Sequence, residues 1–343
     1  MRRGEIMEIL VTGAAGYIGS HTMLELLNAG HTPIALDNYS NSSAESLKRV
    51  ANLTGKSFNI YECDILDRNG LEKIFAKHKI SAVIHFAGLK AVGESNDIPL
   101  KYYLNNVSGS VILFEVMQKF GCKKLVFSSS ATIYGDNISP FVETMPTGNV
   151  TNPYGRTKFI IEEILFDLYK SDNSWSIALL RYFNPIGAHE SGQIGEDPAG
   201  IPNNLMPYIS QTAVGKRPHV NVFGDDYATH DGTGVRDYIH VTDLALGHLS
   251  AIDFVDKHKG IEAINLGTGT GYSVFDAIKA MEKASGKQIA YKIAPRREGD
   301  LGEVYANPAK AFDLLNFKTM RGIDKMCEDA WRWQSQNPDG YKV

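Results

Sequence analysis

Tyr154 and Lys158 stand four residues apart in Tyr154-Gly155-Arg156-Thr157-Lys158, directly after Asn152-Pro153. In a helix that separation puts both side chains on one face, one turn apart. A free phenol titrates near 10 and is a poor base at neutral pH. An ammonium about 4 Å away contributes about 4 kcal/mol at an effective dielectric of 20. That is enough to bring the phenol's pKa down by about three. A positively charged oxidised nicotinamide pushes the same way. Such a pair makes a phenolate base poised near working pH. Ser128-Ser129-Ser130 follows the apolar run Lys124-Leu125-Val126-Phe127. Hydroxyls at the C-terminal edge of a strand sit where open α/β sheets bind ligands. Ser130 is expected to hydrogen-bond a substrate oxygen and to relay or steady its proton. Taken alone, Tyr-x-x-x-Lys often marks only a solvated helix face; its weight comes from what surrounds it.

The first companion is Thr12-Gly13-Ala14-Ala15-Gly16-Tyr17-Ile18-Gly19, between an apolar run and a helical pattern. Its GxxGxxG spacing is one residue wider than the dinucleotide fingerprint, with the same physical task. Glycines permit a tight turn, let backbone approach a pyrophosphate and let helix pack on sheet, with the helix N-terminus facing the anion. Asp37 ends the next apolar run, 18 residues after Gly19. A ribose-binding acid is expected about 20 residues on. An aspartate there accepts from both ribose hydroxyls and repels a 2′-phosphate. Asn38 follows it, not arginine or lysine, which argues for NAD over NADP. Asp64 suits either a contact to adenine or the N-cap of a helix over 66–74, and both readings stay open.

These residues need elements to hold them. Apolar runs at Ile9-Leu10-Val11, 32–36, 57–62, 81–86, 124–127 and 176–180 read as strands. Helical patterns lie between them at about 19–28, 71–78 and 107–119. Short apolar strands without polar alternation, separated by helices, mark a parallel sheet covered on both faces. The stretch 184–233 is rich in Gly, Pro, Asn and Asp and reads as a long functional loop, with a helical piece at about 204–215. Val241 to Ala251 reads as helix and Ala263 to Leu266 as strand. The tail helix, Ile323 to Gln334, repeats Met326, Ala330 and Trp333 on one face, a pattern of core packing.

The chain has 343 residues, room for about two domains. Hydrophobic residues are 43% and charged residues 22%, which excludes a disordered or collagenous chain. A net charge of −4 argues against a dedicated nucleic-acid binder. Cys63, Cys122 and Cys327 are odd in number and far apart, so neither a disulfide framework nor a CxxC metal site is expected. That favours a reducing, cytoplasmic setting. No apolar run approaches the ~20 residues of a membrane span. Met1-Arg2-Arg3 is basic, but the apolar stretch after it is broken by Glu8 and runs into Thr12-Gly13 with no small-residue cleavage site. It reads as a short leader to the first strand, with Met7 as an alternative start.

The glycine loop, the serine and Tyr-x-x-x-Lys together resemble the extended short-chain dehydrogenase/reductases. Longer motifs are similar to those of the UDP-glucose 4-epimerase family within them. These are His85-Phe86-Ala87-Gly88-Leu89-Lys90-Ala91-Val92-Gly93-Glu94-Ser95, Arg181-Tyr182-Phe183-Asn184-Pro185, Gly200-Ile201-Pro202-Asn203-Asn204-Leu205, Gly234-Val235-Arg236-Asp237-Tyr238-Ile239-His240 and Ala294-Pro295-Arg296-Arg297-Glu298-Gly299-Asp300. The likeness runs from about Glu8 to Tyr341.

The resemblance implies an α/β fold, a Rossmann-type doubly wound parallel sheet with a smaller C-terminal α/β substrate domain. Residues 1–183 and 234–268 would form the NAD-binding part, 184–233 and 269–343 the UDP-sugar part. Gly13, Gly16, Tyr17, Ile18, Gly19, Asp37, Asn38, Asn41, Ser42, Asp64 and Ile65 would hold the adenosine half and pyrophosphate of NAD. Phe86, Ala87, Gly88, Lys90 and Asn105 would line the rest, with Tyr154 and with Lys158 on the nicotinamide ribose. Phe183, Asn184, Asn204, Leu205, Arg236, Arg297 and Asp300 would bind the UDP-sugar, together with Ser130 and Tyr154. Guanidinium forks suit phosphate oxygens, though without the resemblance Arg236 and Arg297 read equally well as surface ion pairs. His85 and His240 read as structural, since no metal-ligand cluster surrounds them, and no metal is expected.

The implied activity is an isomerase of galactose metabolism that interconverts UDP-galactose and UDP-glucose through a 4-keto sugar with tightly bound NAD. Tyr154, Lys158 and Ser130 would be catalytic. Val304 would wall the sugar pocket and leave room for the N-acetylated UDP-sugars. The family pairs as a homodimer, through helices that fall here at Val107 to Met117 and Phe159 to Tyr169. Three competing readings are a sugar-nucleotide dehydratase, a dehydrogenase with exchangeable cofactor and a non-enzymatic NAD-binding regulator. Dehydratases carry an acidic pair right after the serine, where this chain has Ala131 and Thr132. Regulators tend to lack the Tyr–Lys pair.

Overall fold

Ile9 and Val11 bury against one side of the first strand and Leu10 against the other, each with no exposed surface. That is why the run is apolar at every position: the strand lies between two layers of helix. The same holds along a computed structural model that describes residues 6–342 apart from 199, 201, 203 and 298. Ile201, Asn203 and Glu298 of the motifs, and the leader Met1-Arg2-Arg3, lie outside the described residues.

The strands, in chain order, are β1 (Glu8–Thr12), β2 (Thr32–Asp37), β3 (Asn59–Glu62), β4 (Ala82–His85), β5 (Lys124–Ser130), β6 (Ser176–Tyr182) and β7 (Asn184–Ile186). They continue with β8 (Val220–Phe223), β9 (Val235–His240), β10 (Gly260–Leu266), β11 (Gly271–Ser273), β12 (Tyr291–Ala294) and β13 (Glu303–Val304). Seven form one sheet in the order β3-β2-β1-β4-β5-β6-β10, every pair parallel. The order reverses between β1 and β4, which opens a crevice at the carboxyl ends of those strands. The expected doubly wound sheet is therefore present. One face is covered by the helices Tyr17–Ala29 and Val241–Lys257 through Met23, Leu26 and Leu244. The other is covered by Gly109–Lys119 and Pro153–Ser171 through Leu113, Phe114, Met117 and Leu165.

A second, smaller layer joins β11-β9-β13, with β7 on β9, and a separate parallel pair β8–β12. Helices Leu205–Ala213, Val274–Ser285 and Ile323–Gln336 cover it. Met326, Ala330 and Trp333 are all buried, as their spacing predicts. The stretch expected to return to the large sheet divides instead. Helix Val241–Lys257 and β10 join that sheet, but β9 pairs in the small one. β9 is held there by its own partners, antiparallel β11 and parallel β13 and β7.

Two local details matter for the site. The helix expected over 107–119 begins at Gly109 and is preceded by a π-helical turn, Tyr103–Ser108. Such turns shift the register of side chains and recur at functional sites. Helix Val274–Ser285 has a full capping box, Ser273 with Asp276, a start signal present in the sequence and not used there.

Candidate active site

The glycine loop leaves β1 and closes on the helix Tyr17–Ala29, whose N-cap is Gly16 with no side-chain cap. Gly13 has φ of +69°, and a Cβ there would lie 2.8 Å from Ala87 N. A Cβ on Gly19 would lie 2.2 Å from Gly13 O. Both glycines are thus demanded by close backbone approach. The open helix start, with its orphan N–H groups, is a place for a pyrophosphate. Asp37 is buried at the end of β2 and accepts from Ala15 N (2.9 Å), Tyr39 N (2.9 Å) and Ser42 Oγ (2.8 Å). A carboxylate has about four acceptor sites, so one stays for a ribose hydroxyl, fewer than the two expected, and Ser42 must turn to free another. Asn38 donates to Asp64 (2.7 Å), which also accepts from Leu66 N. Asp64 is not the helix cap: Asp67 is, accepting from Gly70 N at the start of Arg68–Lys77. Asn41 is exposed on the same loop, and Ile65 is buried under Gly109, where a Cβ would lie 2.5 Å from its Cδ1. Tyr17 differs from expectation in its hydroxyl, which donates to Gly187 O (2.6 Å), so only its backbone and that of Ile18 face the loop's anion site.

Across the crevice, Phe86, Ala87 and Gly88 follow β4. Ala87 N donates to Thr12 Oγ1 (3.2 Å), and the Phe86 ring lies 4.7 Å from that of His248. Asn105 sits on the π turn and donates to its neighbour Asn106 (2.9 Å). Asn106 is buried and joins Leu89 N, Leu89 O and Thr157 Oγ1. It therefore ties the cofactor loop to the Tyr154 helix, a role that sequence reading missed. The open helix start, the glycine cradle and the acid at the second strand fit NAD.

Ser130 ends β5 and caps the turn Ala131–Tyr134. Thr132 N and Thr132 Oγ1 both donate to its Oγ, at 3.2 and 3.0 Å. The proton of Ser130 is thereby left for another acceptor. Tyr154, in the first turn of Pro153–Ser171, is half-buried. Burial raises its pKa, and the nearby Ser130 hydroxyl opposes the rise. This corrects the expected electrostatics. Lys158 is turned away to donate to Ser128 O (2.6 Å), with its ammonium 4.9 Å over the Phe127 ring. Burial brings Lys158 down to about 8, while Glu162 opposes. So in this arrangement Ser130, not Lys158, favours the phenolate. Thr132 is the second missed residue; its signal was the hydroxyl two places after Ser130. His85 is confirmed as structural. It is buried between Thr12 Oγ1 (2.7 Å) and Ser110 Oγ (2.9 Å), and burial holds it near 3. His240 caps its helix and meets Asp329 at 3.2 Å.

The small layer brings the remaining residues together. Asp300 faces two guanidinium groups: Arg297 Nε donates to it (2.8 Å) and Arg236 Nη2 lies 3.8 Å away. Arg236 is further held by Leu301 O (2.9 Å). Two guanidinium forks gathered on one carboxylate are suited to a diphosphate. Arg297 lies 5.0 Å over the ring of Phe223, an aromatic that sequence reading passed over. Asn184 donates to Asp237 O (3.2 Å), and Leu205 opens its helix after the exposed Asn204. Asn204 and Lys90 meet on one carboxylate, Glu196, at 3.1 and 3.2 Å. Glu196 is the third missed residue, and it spans the cofactor side and the substrate side. Phe183 packs with Ala131, Tyr134, Phe141 and Ala306, and Val304 leans on that cluster. The wall residue therefore stands beside the turn that follows Ser130. Among the described residues the only cluster of possible metal ligands is His230, Asp231 and Asp276, apart from this site and partly exposed.

A parallel sheet with this order, a glycine cradle, an acid at the second strand and a Ser–Tyr–Lys constellation define an NAD-dependent oxidoreductase-type fold. Over residues 9–267 the chain matches the NAD dependent epimerase/dehydratase family. It is 61% identical over 337 residues to the UDP-glucose 4-epimerase of Bacillus subtilis (strain 168), covering 98% of this chain and 99% of that one. It is 59% identical over 341 residues to the UDP-glucose 4-epimerase of Mus musculus, covering 97% and 98%. A crystal structure of UDP-glucose 4-epimerase from Bifidobacterium longum in complex with NAD+ and UDP superposes with a TM-score of 0.94 at 53% identity, covering 97% and 99%. The chain belongs to the NAD-dependent epimerase/dehydratase family, and within it to the UDP-glucose 4-epimerases. It is accordingly an isomerase, and its cofactor is NAD. No described helix is long and apolar enough to cross a membrane.

Proposed function

We propose that this chain interconverts UDP-galactose and UDP-glucose through a 4-keto sugar, in galactose metabolism, without net redox change. The observation that carries this reading is the pairing of Ser130 at the sheet edge and Tyr154 at the start of the next helix with two arginines gathered on Asp300. NAD, when bound, accepts a hydride and returns it. Tyr154 takes the proton from the sugar 4-hydroxyl and later gives it back, and Ser130 donates to the developing oxyanion. Lys158 bonds the nicotinamide ribose on leaving Ser128 O. Arg236 and Arg297 grip the diphosphate, with Asn184, Asn204, Leu205 and Phe183 around the nucleotide and sugar. A tether at the diphosphate lets the keto sugar turn over without escaping, so hydride returns to its opposite face. The large sheet with its helices would serve NAD, the small layer the UDP-sugar. Three free thiols accord with a cytoplasmic setting.

The test is direct. Denaturing the purified protein should release NAD, and fresh enzyme given UDP-galactose and no cofactor should form UDP-glucose. Stoichiometric NADH accumulation would mean a dehydrogenase instead, and released NAD without turnover a binding protein.

Val304 sets the substrate range in this reading. It is paired beside Arg236 and is smaller than an aromatic wall, so a 2-acetamido group has room. Wild type is expected to convert both UDP-galactose and UDP-N-acetylglucosamine, and Val304→Tyr to lose about tenfold or more on the second alone, the scale of about 1–3 kcal/mol for a pocket contact. A substrate panel on both proteins checks this; no turnover of the acetamido sugar by wild type overturns it.

A homodimer is the expected assembly. Of the two helices nominated for it, Leu113, Phe114, Val116 and Met117 in one and Ile161 and Leu165 in the other are buried in their own domain's core. Support comes from Phe166 in the second helix and from Leu100 and Leu104 on a neighbouring helical segment, which are exposed (39, 82 and 57%). Light scattering should give twice the chain mass; a monomer at micromolar concentration overturns this.

A further inference from the structure

Strand β9 carries Arg236 and Asp237 side by side, and consecutive side chains of a strand point to opposite faces. Arg236 reaches toward Asp300 and Leu301 O. Asp237 faces the other way and has no exposed surface. Its Oδ1 accepts from Thr268 N (2.8 Å) and Thr268 Oγ1 (2.7 Å), and its Oδ2 from Gly269 N (3.0 Å) and Ala306 N (3.1 Å). All four acceptor sites of the carboxylate are filled, and no cation is among the donors. The donors belong to two other segments. Thr268 and Gly269 lie in the turn that joins β10 of the large sheet to β11 of the small one. Ala306 lies two residues beyond Val304. A Cβ at Gly267 would come within 2.6 Å of Asp237 Oδ2, so the glycine there is required by the approach of this carboxylate. Arg236 and Val304 are themselves register partners across β9 and β13.

We propose that Asp237 is a positioning residue for the UDP-sugar: its carboxylate locks the diphosphate arginine and the sugar wall to the end of the cofactor sheet, in one register. This rests on the reading of Arg236 and Val304 as the substrate grip. A carboxylate suits the task better than an amide. Asparagine offers one oxygen, so its NH₂ group must face either the N–H groups of Gly269 and Ala306, releasing the Ala306 segment, or that of Thr268, loosening the turn after β10. Hydrogen bonds to a charged group are worth on the order of 10- to 100-fold in an equilibrium constant.

The experiment titrates UDP alone into NAD-loaded enzyme by calorimetry, with released NAD and melting temperature measured in parallel. Asp237→Asn is expected to weaken UDP binding about 10- to 100-fold and to raise the KM for UDP-galactose, while the NAD content stays that of wild type. Thr268→Val removes one of the four bonds and should weaken UDP by a few fold; it decides the matter if Asp237→Asn does not fold. Asp243→Asn, at a buried carboxylate bonded to Met320 N, Arg321 N and the Arg321 guanidinium rather than to the substrate segments, is the control. It should lower the melting temperature and leave UDP affinity unchanged. UDP affinity within twofold of wild type in Asp237→Asn, or in Thr268→Val where the first does not fold, overturns the proposal. So does a loss of NAD that parallels the loss of UDP, which would mean general loosening. Wild type failing to bind UDP would instead refute the substrate reading on which the proposal stands.

Discussion

Tyr154→Phe should abolish nearly all turnover of UDP-galactose while NAD stays bound and the fold stays intact. The substitution removes one oxygen and keeps the ring. That oxygen is the group whose pKa the Ser130 hydroxyl at the sheet edge pulls down against burial. Loss of a positioned general base costs about 10²–10⁴-fold in kcat. The KM should move little, since Arg236 and Arg297 lie on the small layer and are untouched. Retained turnover within a factor of two removes Tyr154 from the mechanism. A companion test uses pH. The Ser130 hydroxyl favours the phenolate, and burial opposes it. Removing the serine hydroxyl in Ser130→Ala leaves only the upward push, so the ascending, low-pH limb of the kcat profile, which reports the base, should shift to higher pH. A limb that stays in place, or shifts down, assigns the limb to another group.

The largest loss of stability is expected from Glu162→Ala. Glu162 lies one turn beyond Lys158 and forms a two-pronged pair with Arg181, at 3.1 and 2.7 Å. The two side chains are only 4% and 2% exposed. Ser129 donates to the same carboxylate, and Arg181 continues to Tyr134 Oη (3.0 Å) and the Glu143 carbonyl (3.3 Å). Replacing such a pair wholesale by apolar groups can be neutral. Removing one partner is not, because the other charge stays buried and uncompensated, at about 3–5 kcal/mol. For a chain of this size the melting temperature should fall by about 4–7 °C. Lys283→Ala, at an ion pair that is 70% and 54% exposed, should leave it essentially unchanged, since exposed pairs contribute little. Equal melting shifts in the two variants would mean that the buried pair is not held as drawn.

Much of this protein was legible in its residues. Apolar strands separated by helices announce a parallel sheet, because only a strand covered on both faces is apolar at every position. Glycines 13 and 19 mark the loop because backbone contact at 2.8 and 2.2 Å leaves no room for a Cβ. Asp37, Ser130 and Tyr154 sit at strand ends or at a helix start, where local spacing alone places them. These are short-range features, and sequence carries them well.

What sequence could not say is what faces what across long separations. Lys158 was expected to serve the phenol, and the nearest acceptor turned out to be Ser128 O, 30 residues away. Thr132, Asn106 and Glu196 have no signature of their own; each matters only because folding brings two other segments to it. The stretch 234–268 was expected to go with the large sheet as a whole, and pairing with β7, β11 and β13 takes β9 into the small one. Asp237 is the plainest case. Its type says only that a carboxylate is present, and tertiary packing decides that four donors from distant turns surround it. Residue type and spacing determine local conformation and chemical capacity. Which capacities meet is a matter of long-range packing, since a hydrogen bond acts over about 3 Å whatever the distance along the chain.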